Sequence, residues 1–343
     1  MAAWALYRLP HADRYVRIRQ TSGEPEALLS CSQLNGREGF VVAPFDIRPD
    51  QTALLIRPDA VEAYPLSGSP GISGKSEKSG ISSPSPSYAV DFANFHAQLL
   101  SGTFRKIVLA RCADETTAEP VSPEELFLRA CQRYPRMFIA LVYTSQTGYW
   151  LTATPEILLD NEGQQWRTIA LAGTMKLEAD QLQGEGETVT WSTKNIQEQR
   201  YVATYITECL ERFVCDFHEE GPRTVRAANL VHLRSDFTFM LPDTDHLGDL
   251  LQTLHPTPAV CGLPKQDAFR FITHNEHTPR RYYSGFMGPI GPSTHLYVSL
   301  RCMNIEGRRY HLYAGGGLLK DSILEQEWLE TEAKLETMRS LLY

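Results

Sequence analysis

A chain of 343 residues suits one large domain or two average ones, and its 42% hydrophobic and 22% charged content is that of a globular protein with a sizeable core. A formal net charge of −8 argues against broad binding to nucleic acid or anionic membranes, so an anionic substrate needs a local cationic pocket or a bridging metal. Seven scattered cysteines, odd in number and without a C-x-x-C pair, read as reduced thiols of a cytosolic protein. Arg8, His11, Asp13 and Arg14 break up the start, leaving no signal-peptide apolar core, and no apolar run reaches membrane-spanning length.

Residues 1–64 read as short strands and turns, a β-rich segment expected to dock on the main body, with β-rich runs over 39–45 and 52–56. Residues 65–87, rich in Ser, Gly, Pro and Lys, read as a flexible loop before the body, 88–343. Phe92, Phe95 and Leu99 share one face of a helix over 88–100. The apolar strand 104–112 follows, in which Lys106 shares a face with Val108 and Ala110. On local grounds Lys106 reads equally as an edge lysine that snorkels to water and as a buried general base. Ser122-Pro123-Glu124-Glu125 opens a helix to Arg133, and strands follow over 137–144 and 148–154. Glu156, between Pro155 and an apolar run, reads either as an exposed turn residue or as a desolvated acid.

Thr168 to Thr174 reads as a strand that runs out into a Gly-Thr turn, and 184–186 as a loop. A long helix is expected from about Thr188 to Phe217. Its apolar stripe is Ile196, Val202 and Ile206, and Glu198 taken alone is a solvated helix glutamate. His232, on a strand over 229–233, reads as a hydrogen-bonded core histidine. His255-Pro256-Thr257-Pro258 opens a rigid, preshaped loop of the kind that lines a site. Strands over 295–305, with Arg301, and 310–314 lead to Gly315-Gly316-Gly317, where backbone can approach a ligand. The helix that follows sets Glu327 and Glu330 on one side, which is either a solvated acidic face or half a site for a hard cation such as Mg²⁺. Long β runs with helices between them, lacking strict βαβ alternation, indicate an α+β protein with large antiparallel sheets. The triple glycine is not a dinucleotide fingerprint, and neither G-x-S-x-G nor a Walker loop occurs.

Ten short motifs stand in a fixed order: Lys-Ile-Val-Leu-Ala-Arg (106–111), Thr-Pro-Glu-Ile-Leu-Leu (154–159), Leu-Ala-Gly-Thr (171–174), Lys-x-x-x-Glu (194–198) and His-Leu (232–233) are the first five. His-Pro-Thr-Pro-Ala-Val-Cys-Gly-Leu-Pro (255–264), Ser-Gly-Phe-Met-Gly (284–288), Leu-Arg-Cys (300–302), Tyr-Ala-Gly-Gly-Gly (313–317) and Glu-Trp-x-Glu-Thr-x-x-Lys (327–334) complete them. From about Phe92 to the end the chain thereby resembles the chorismate-utilising enzymes, and among them the isochorismate synthases. The resemblance implies a single large α+β domain, with two large mainly antiparallel sheets, helices packed outside and the site between the sheets. It implies Mg²⁺ held by Glu198 and Glu330, with Glu327 acting through water, against the ring carboxylate of chorismate. Lys106 would activate water for attack at C2, and Glu156 would protonate the departing C4 hydroxyl. Arg301 would grip a carboxylate as a fork, with Lys334 a second cation and His232 a polar contact. Gly173, Thr174, Gly315 and Gly317 would offer backbone donors, and Ala259 and Val260 an apolar wall that admits water but not an amine.

Position 172 bears on subtype, since aminodeoxychorismate synthases carry a nucleophilic lysine where this chain has Ala172. Asn195 departs from the pattern, standing where relatives often place a second carboxylate near the metal. Met175-Lys176 and Gly316 also depart. The resemblance implies a cytoplasmic isomerase for menaquinone synthesis or, second, for siderophores, acting as a monomer without nucleic-acid or membrane partners. A salicylate synthase-type lyase that releases pyruvate and a non-catalytic chorismate-binding relative are the alternatives.

Overall fold

β-branched and aromatic runs supply eighteen strands among the described residues, all paired antiparallel in two nine-stranded sheets. The computed structural model describes residues 3–66, 83–176, 189–227, 230–241 and 243–343. Strands and helices are numbered here in chain order. The first sheet runs β14 (Gly262–Leu263), β7 (Lys106–Thr116), β18 (Arg309–Leu318), β17 (Cys302–Glu306) and β9 (Gly148–Thr154). It continues through β8 (Phe138–Thr144), β1 (Trp4–Arg8), β2 (Arg14–Arg19) and β6 (Ala60–Pro65). The second runs β12 (Phe217–Ala227), β13 (Leu230–Met240), β11 (Gln165–Lys176), β10 (Ile157–Glu162) and β16 (His295–Val298). It ends with β15 (Phe286–Ile290), β4 (Gly39–Ala43), β5 (Ala53–Ile56) and β3 (Glu26–Leu28).

The helices are α1 (Pro86–Leu100), α2 (Pro123–Arg133), α3 (Thr193–Leu210), α4 (Leu247–Leu254), α5 (Lys265–Asn275) and α6 (Leu324–Arg339). The sheets face each other through a shared core that includes Phe40, Val42, Phe138, Trp150, Ile169 and Tyr297. Helices cover the outer faces. Val202 and Ile206 of α3 and Leu250 of α4 pack with Ala170 and Phe237, while Phe127 of α2 and Leu335 of α6 pack with Leu141 and Leu312. α1 and α5 cover the outer side of β7 at Ile107 and Leu109. The expected two-sheet α+β arrangement is therefore present.

Several sequence expectations need correcting. Residues 1–64 are not a docked segment, because they supply β1, β2 and β6 to one sheet and β3, β4 and β5 to the other. Most of the 65–87 loop and all of the 184–186 loop lie outside the described residues, while α1 starts earlier than expected, with the Ser85 side chain accepting from the Tyr88 N–H. α3 spans Thr193–Leu210, not Thr188 to Phe217; Ser192 caps its start, and the Phe213 and Val214 N–H groups both close onto the Leu210 carbonyl at its end. Phe217 belongs to β12, opposite Phe239. The predicted strand over 295–305 is two strands in different sheets. Arg301, at φ 47°, lies in the left-handed region and ends the pleat between them. The triple glycine does not follow a strand; it lies inside β18, with Gly315, Gly316 and Gly317 opposite Ala110, Leu109 and Val108.

Candidate active site

Two of the places where the chain passes between the sheets are short links, at Pro155-Glu156 from β9 to β10 and at 299–301 from β16 to β17. β9 pairs with β17 and β10 with β16, so the two crossings lie side by side. Hydrogen bonds join them, from the Val298 N–H to the Glu156 carbonyl (3.0 Å) and from the Ala153 N–H to the Arg301 carbonyl (3.2 Å). Glu156 and Arg301 therefore share one seam, and both line an inner pocket with Val108, Ala172, Gly173, Thr174, Glu198, His232, Ala259, Val260, Gly315, Gly317 and Lys334.

Lys106 is fully buried, which removes the snorkelling alternative. Its Nζ lies 3.0 Å from Glu198 Oε1. Glu198 is buried on α3, contrary to the solvated reading, while Ile196, assigned above to the apolar stripe, is 47% exposed. α3 turns its polar Glu198 inward because Lys106 waits there. Burial pushes the Glu198 carboxyl up, but Lys106, Lys194 and Lys334 outweigh it and hold it below its ordinary range. Glu156 has no such ion-pair partner among the described residues. Burial raises it from 4.5 to about 8, against the weaker pull of Lys106, Lys334 and Arg301. At neutral pH Glu156 is thus a protonated acid in a pocket lined by cations.

His232 is neutral, since burial, Arg301 and Lys334 all lower its pKa. Its Nδ1–H donates to the Gly173 carbonyl at 3.2 Å, leaving Nε2 to accept from Arg301 Nη2 at 2.6 Å. The histidine thereby aims the guanidinium. Burial lowers Arg301 to about 10, which leaves it charged at neutral pH. Gly173, at φ 74°, sits where the ladder between β11 and β13 shifts register, and a Cβ there would meet Asn195 Cβ at 3.1 Å. Asn195 therefore packs against this bulge at the start of α3.

Each glycine of the triple has a reason in the structure. A Cβ on Gly315 would fall 2.7 Å from Tyr283 Oη, and one on Gly317 would fall 2.0 Å from Glu198 Oε1 and 2.9 Å from Lys106 Cε. A Cβ on Gly316 would stand 3.3 Å from Glu327 Oε2 and 3.7 Å from Glu330 Oε1. Glu327 Oε2 is buried without a hydrogen-bond partner among the described residues, whereas Oε1 takes the Lys194 ammonium. Lys334 Nζ bonds Glu330 Oε1 at 2.7 Å and the Gly315 carbonyl at 2.8 Å. Each of the three carboxylates thus has its own lysine, and as a set they do not close to within 4.8 Å. An orphaned carboxylate oxygen over a glycine cradle, beside two more glutamates, fits the hard-oxygen chemistry of Mg²⁺.

Val108, Tyr283, Leu171, Leu300 and the Glu276–Arg280 pair were not singled out from sequence. Arg280 grips Glu276 through two bonds, Nε to Oε2 (2.6 Å) and Nη2 to Oε1 (2.8 Å), and also donates to the Val260 and Val108 carbonyls. Glu276 accepts from the Ala110 N–H at 2.7 Å. Beyond the two-residue β14, this buried ion pair stands in for the missing neighbour of β7 and ties the strand of Lys106 to the apolar wall at Val260. Only the Glu-x-x-x-Arg spacing could have signalled it, and that spacing alone is commonplace.

Fold and pocket together define a two-sheet α+β protein with a buried carboxylic acid, a buried lysine and a convergent set of cations for a small anion. The chain belongs to the chorismate binding enzyme family, whose model matches residues 75–343. It is 31% identical over 247 residues to isochorismate synthase MenF of Escherichia coli, covering 71% of this chain and 57% of that one. It is 32% identical over 256 residues to isochorismate synthase DhbC of Bacillus subtilis, covering 71% and 64%. The chain thus spans about three fifths of the length of these curated relatives. Among solved structures, the 2,3-dihydroxybenzoate-specific isochorismate synthase DhbC of Bacillus anthracis superposes with a TM-score of 0.83 at 22% identity, covering 99% of this chain and 96% of that one.

Proposed function

We propose that the chain is an isochorismate synthase, a Mg²⁺-dependent isomerase that moves the ring hydroxyl of chorismate from C4 to C2. The observation that carries this reading is a protonated Glu156 lining the pocket between the sheets, with the buried Lys106 held behind Glu198 of the same pocket. Lys106 takes a proton from the water that attacks C2, and Glu156 gives its proton to the C4 hydroxyl as that group leaves as water. One water enters and one departs, so the substrate's composition is unchanged. Arg301, aimed by His232, forks a carboxylate, and Lys334 adds a second positive charge. Ala172 puts no nucleophile at its place in the pocket, and Ala259 with Val260 keeps the wall apolar. Glu198 and Glu330 would hold the Mg²⁺, with Glu327 acting through water, and the ion would supply positive charge to the ring carboxylate.

MenF is named as menaquinone-specific in its structural report, and the same supply is proposed for this chain, as a cytoplasmic enzyme. The test is incubation with chorismate, with and without Mg²⁺ and a chelator, with products separated by chromatography and pyruvate assayed in parallel. Isochorismate that forms only with the metal, without pyruvate, is the expected result. Pyruvate release would make the chain a lyase, and no turnover at all would overturn the enzymatic reading.

A further inference from the structure

Far from the pocket on the same two strands, Cys112 and Asp114 of β7 and His311 of β18 bring a sulfur, an oxygen and a nitrogen together. One ligand atom from each lies within 4.8 Å of the other two. Their placement follows from the ladder: Asp114 pairs directly with His311, and Cys112, two residues earlier, shares the face of Asp114. His311 Nδ1 is 2.6 Å from Asp114 Oδ1, and Cys112 Sγ is 3.8 Å from the same oxygen. The 3.8 Å sulfur–oxygen separation is close to the edge of a tetrahedron around an ion with Zn–O of about 2.0–2.2 Å and Zn–S of about 2.3 Å, whereas the 2.6 Å contact is a hydrogen bond that an ion would replace by spreading the two atoms to about 3.4 Å.

A second observation points the same way. The other imidazole nitrogen, Nε2, faces Glu306 Oε2 at 3.7 Å. A carboxylate behind a histidine is the usual arrangement around metal-bound imidazole, and Glu306 stands as an electrostatic neighbour within a side-chain rotation of hydrogen-bond distance. Glu306 belongs to β17, which pairs with β18, so the ligands and their support ride on three adjacent strands rather than on loops. Cys112 is half-buried, while the Asp114 side chain is 74% exposed and gives an ion a way in from solvent.

We propose that Cys112, Asp114 and His311 form a second metal site, for a borderline-soft divalent ion of the Zn²⁺ class, with the fourth position left to water. Thiolate and imidazole select against Mg²⁺, so the two ions do not compete for one site. Asp114 lies eight residues beyond Lys106 on β7, about 26 Å along the strand, which sets this site apart from the pocket. Binding exchanges the thiol proton for the ion, which gains a thiolate bond, and no electron is transferred. Bound there, the ion clips the far ends of β7 and β18 together and favours the folded chain by mass action.

The test is a Co²⁺ titration of the full chain with Mg²⁺ present throughout, followed by displacement with Zn²⁺. A thiolate-to-cobalt charge-transfer band in the near ultraviolet, with visible bands of a tetrahedral ion, is expected. The band should vanish in Cys112→Ser and fade in His311→Ala, and Glu306→Gln should weaken binding roughly 10- to 100-fold. Zn²⁺ should raise the Tm of the parent but not of Cys112→Ser, whose metal-free melting confirms that it folds. No charge-transfer band, or a band and Tm shift that persist in Cys112→Ser, would overturn the assignment. Neither readout uses turnover, so the outcome is independent of the proposed reaction.

Discussion

Replacing Glu156 by Gln tests the acid through stability as well as through rate. The folded chain raises this carboxyl from 4.5 to about 8, mainly by burial. Between those values it keeps a proton that the unfolded chain has released, so stability is fully present below pH 4.5 and declines as pH rises toward 8. A shift of that size corresponds to roughly 5 kcal/mol across the window, at 1.36 kcal/mol per unit. Glutamine has the shape of the protonated acid and cannot ionise. Urea denaturation at a series of pH values between 4 and 9 should therefore show the variant matching the parent at the acid end and exceeding it by several kcal/mol at the alkaline end. Turnover should fall by about 10²- to 10⁴-fold, the usual worth of a general acid. Parent and variant stability curves that stay parallel across pH 4–9 would show that Glu156 does not hold its proton, and the acid assignment would fail with it.

Lys106→Met should abolish turnover and, by leaving Glu198 buried without its partner, destabilise the chain by about 3–5 kcal/mol. Adding Glu198→Gln should restore most of that stability in chemical denaturation without restoring activity. Gly317→Ala places a methyl on Glu198 Oε1, so a loss of about 1–3 kcal/mol and of Mg²⁺ binding by calorimetry is expected. Arg301→Lys keeps the charge but loses the fork and its bond to His232; steady-state kinetics should show KM rising more than kcat falls. Glu276→Gln should loosen the hold of β7 on Val260, and slower turnover in a variant that still folds, by circular dichroism, would show that the brace reaches the pocket.

The sequence carried the order of the motifs and therefore the residues that meet in the pocket, but not the means by which they meet. Lys106, Glu156 and Glu198 each had a local reading as good as the functional one, because burial is decided by strands far away in the chain. The α3 boundaries were misjudged because apolar spacing continues past Leu210, where the Phe213 and Val214 N–H groups turn back onto the Leu210 carbonyl. The split at Arg301 was invisible because alternation looks the same on either side of a change of sheet. The glycines were legible as a place of close approach, yet what approaches them, two α6 carboxylates, Glu198 with Lys106, and Tyr283, depends on four other segments. The weaving of residues 1–64 into both sheets was missed for a related reason: an edge strand carries no mark of the partner it will choose.

The side-by-side crossings have a mechanical consequence. At this seam two covalent links and the hydrogen bonds between them tie one sheet to the other, so atoms on it are held at fixed separation. Glu156 and Arg301 sit on that seam, whereas Lys106 is three strands away from β9 on β7. The proton donor and the anion fork are thus fixed relative to each other by the backbone itself, while the base reaches the site through its strand and its bond to Glu198.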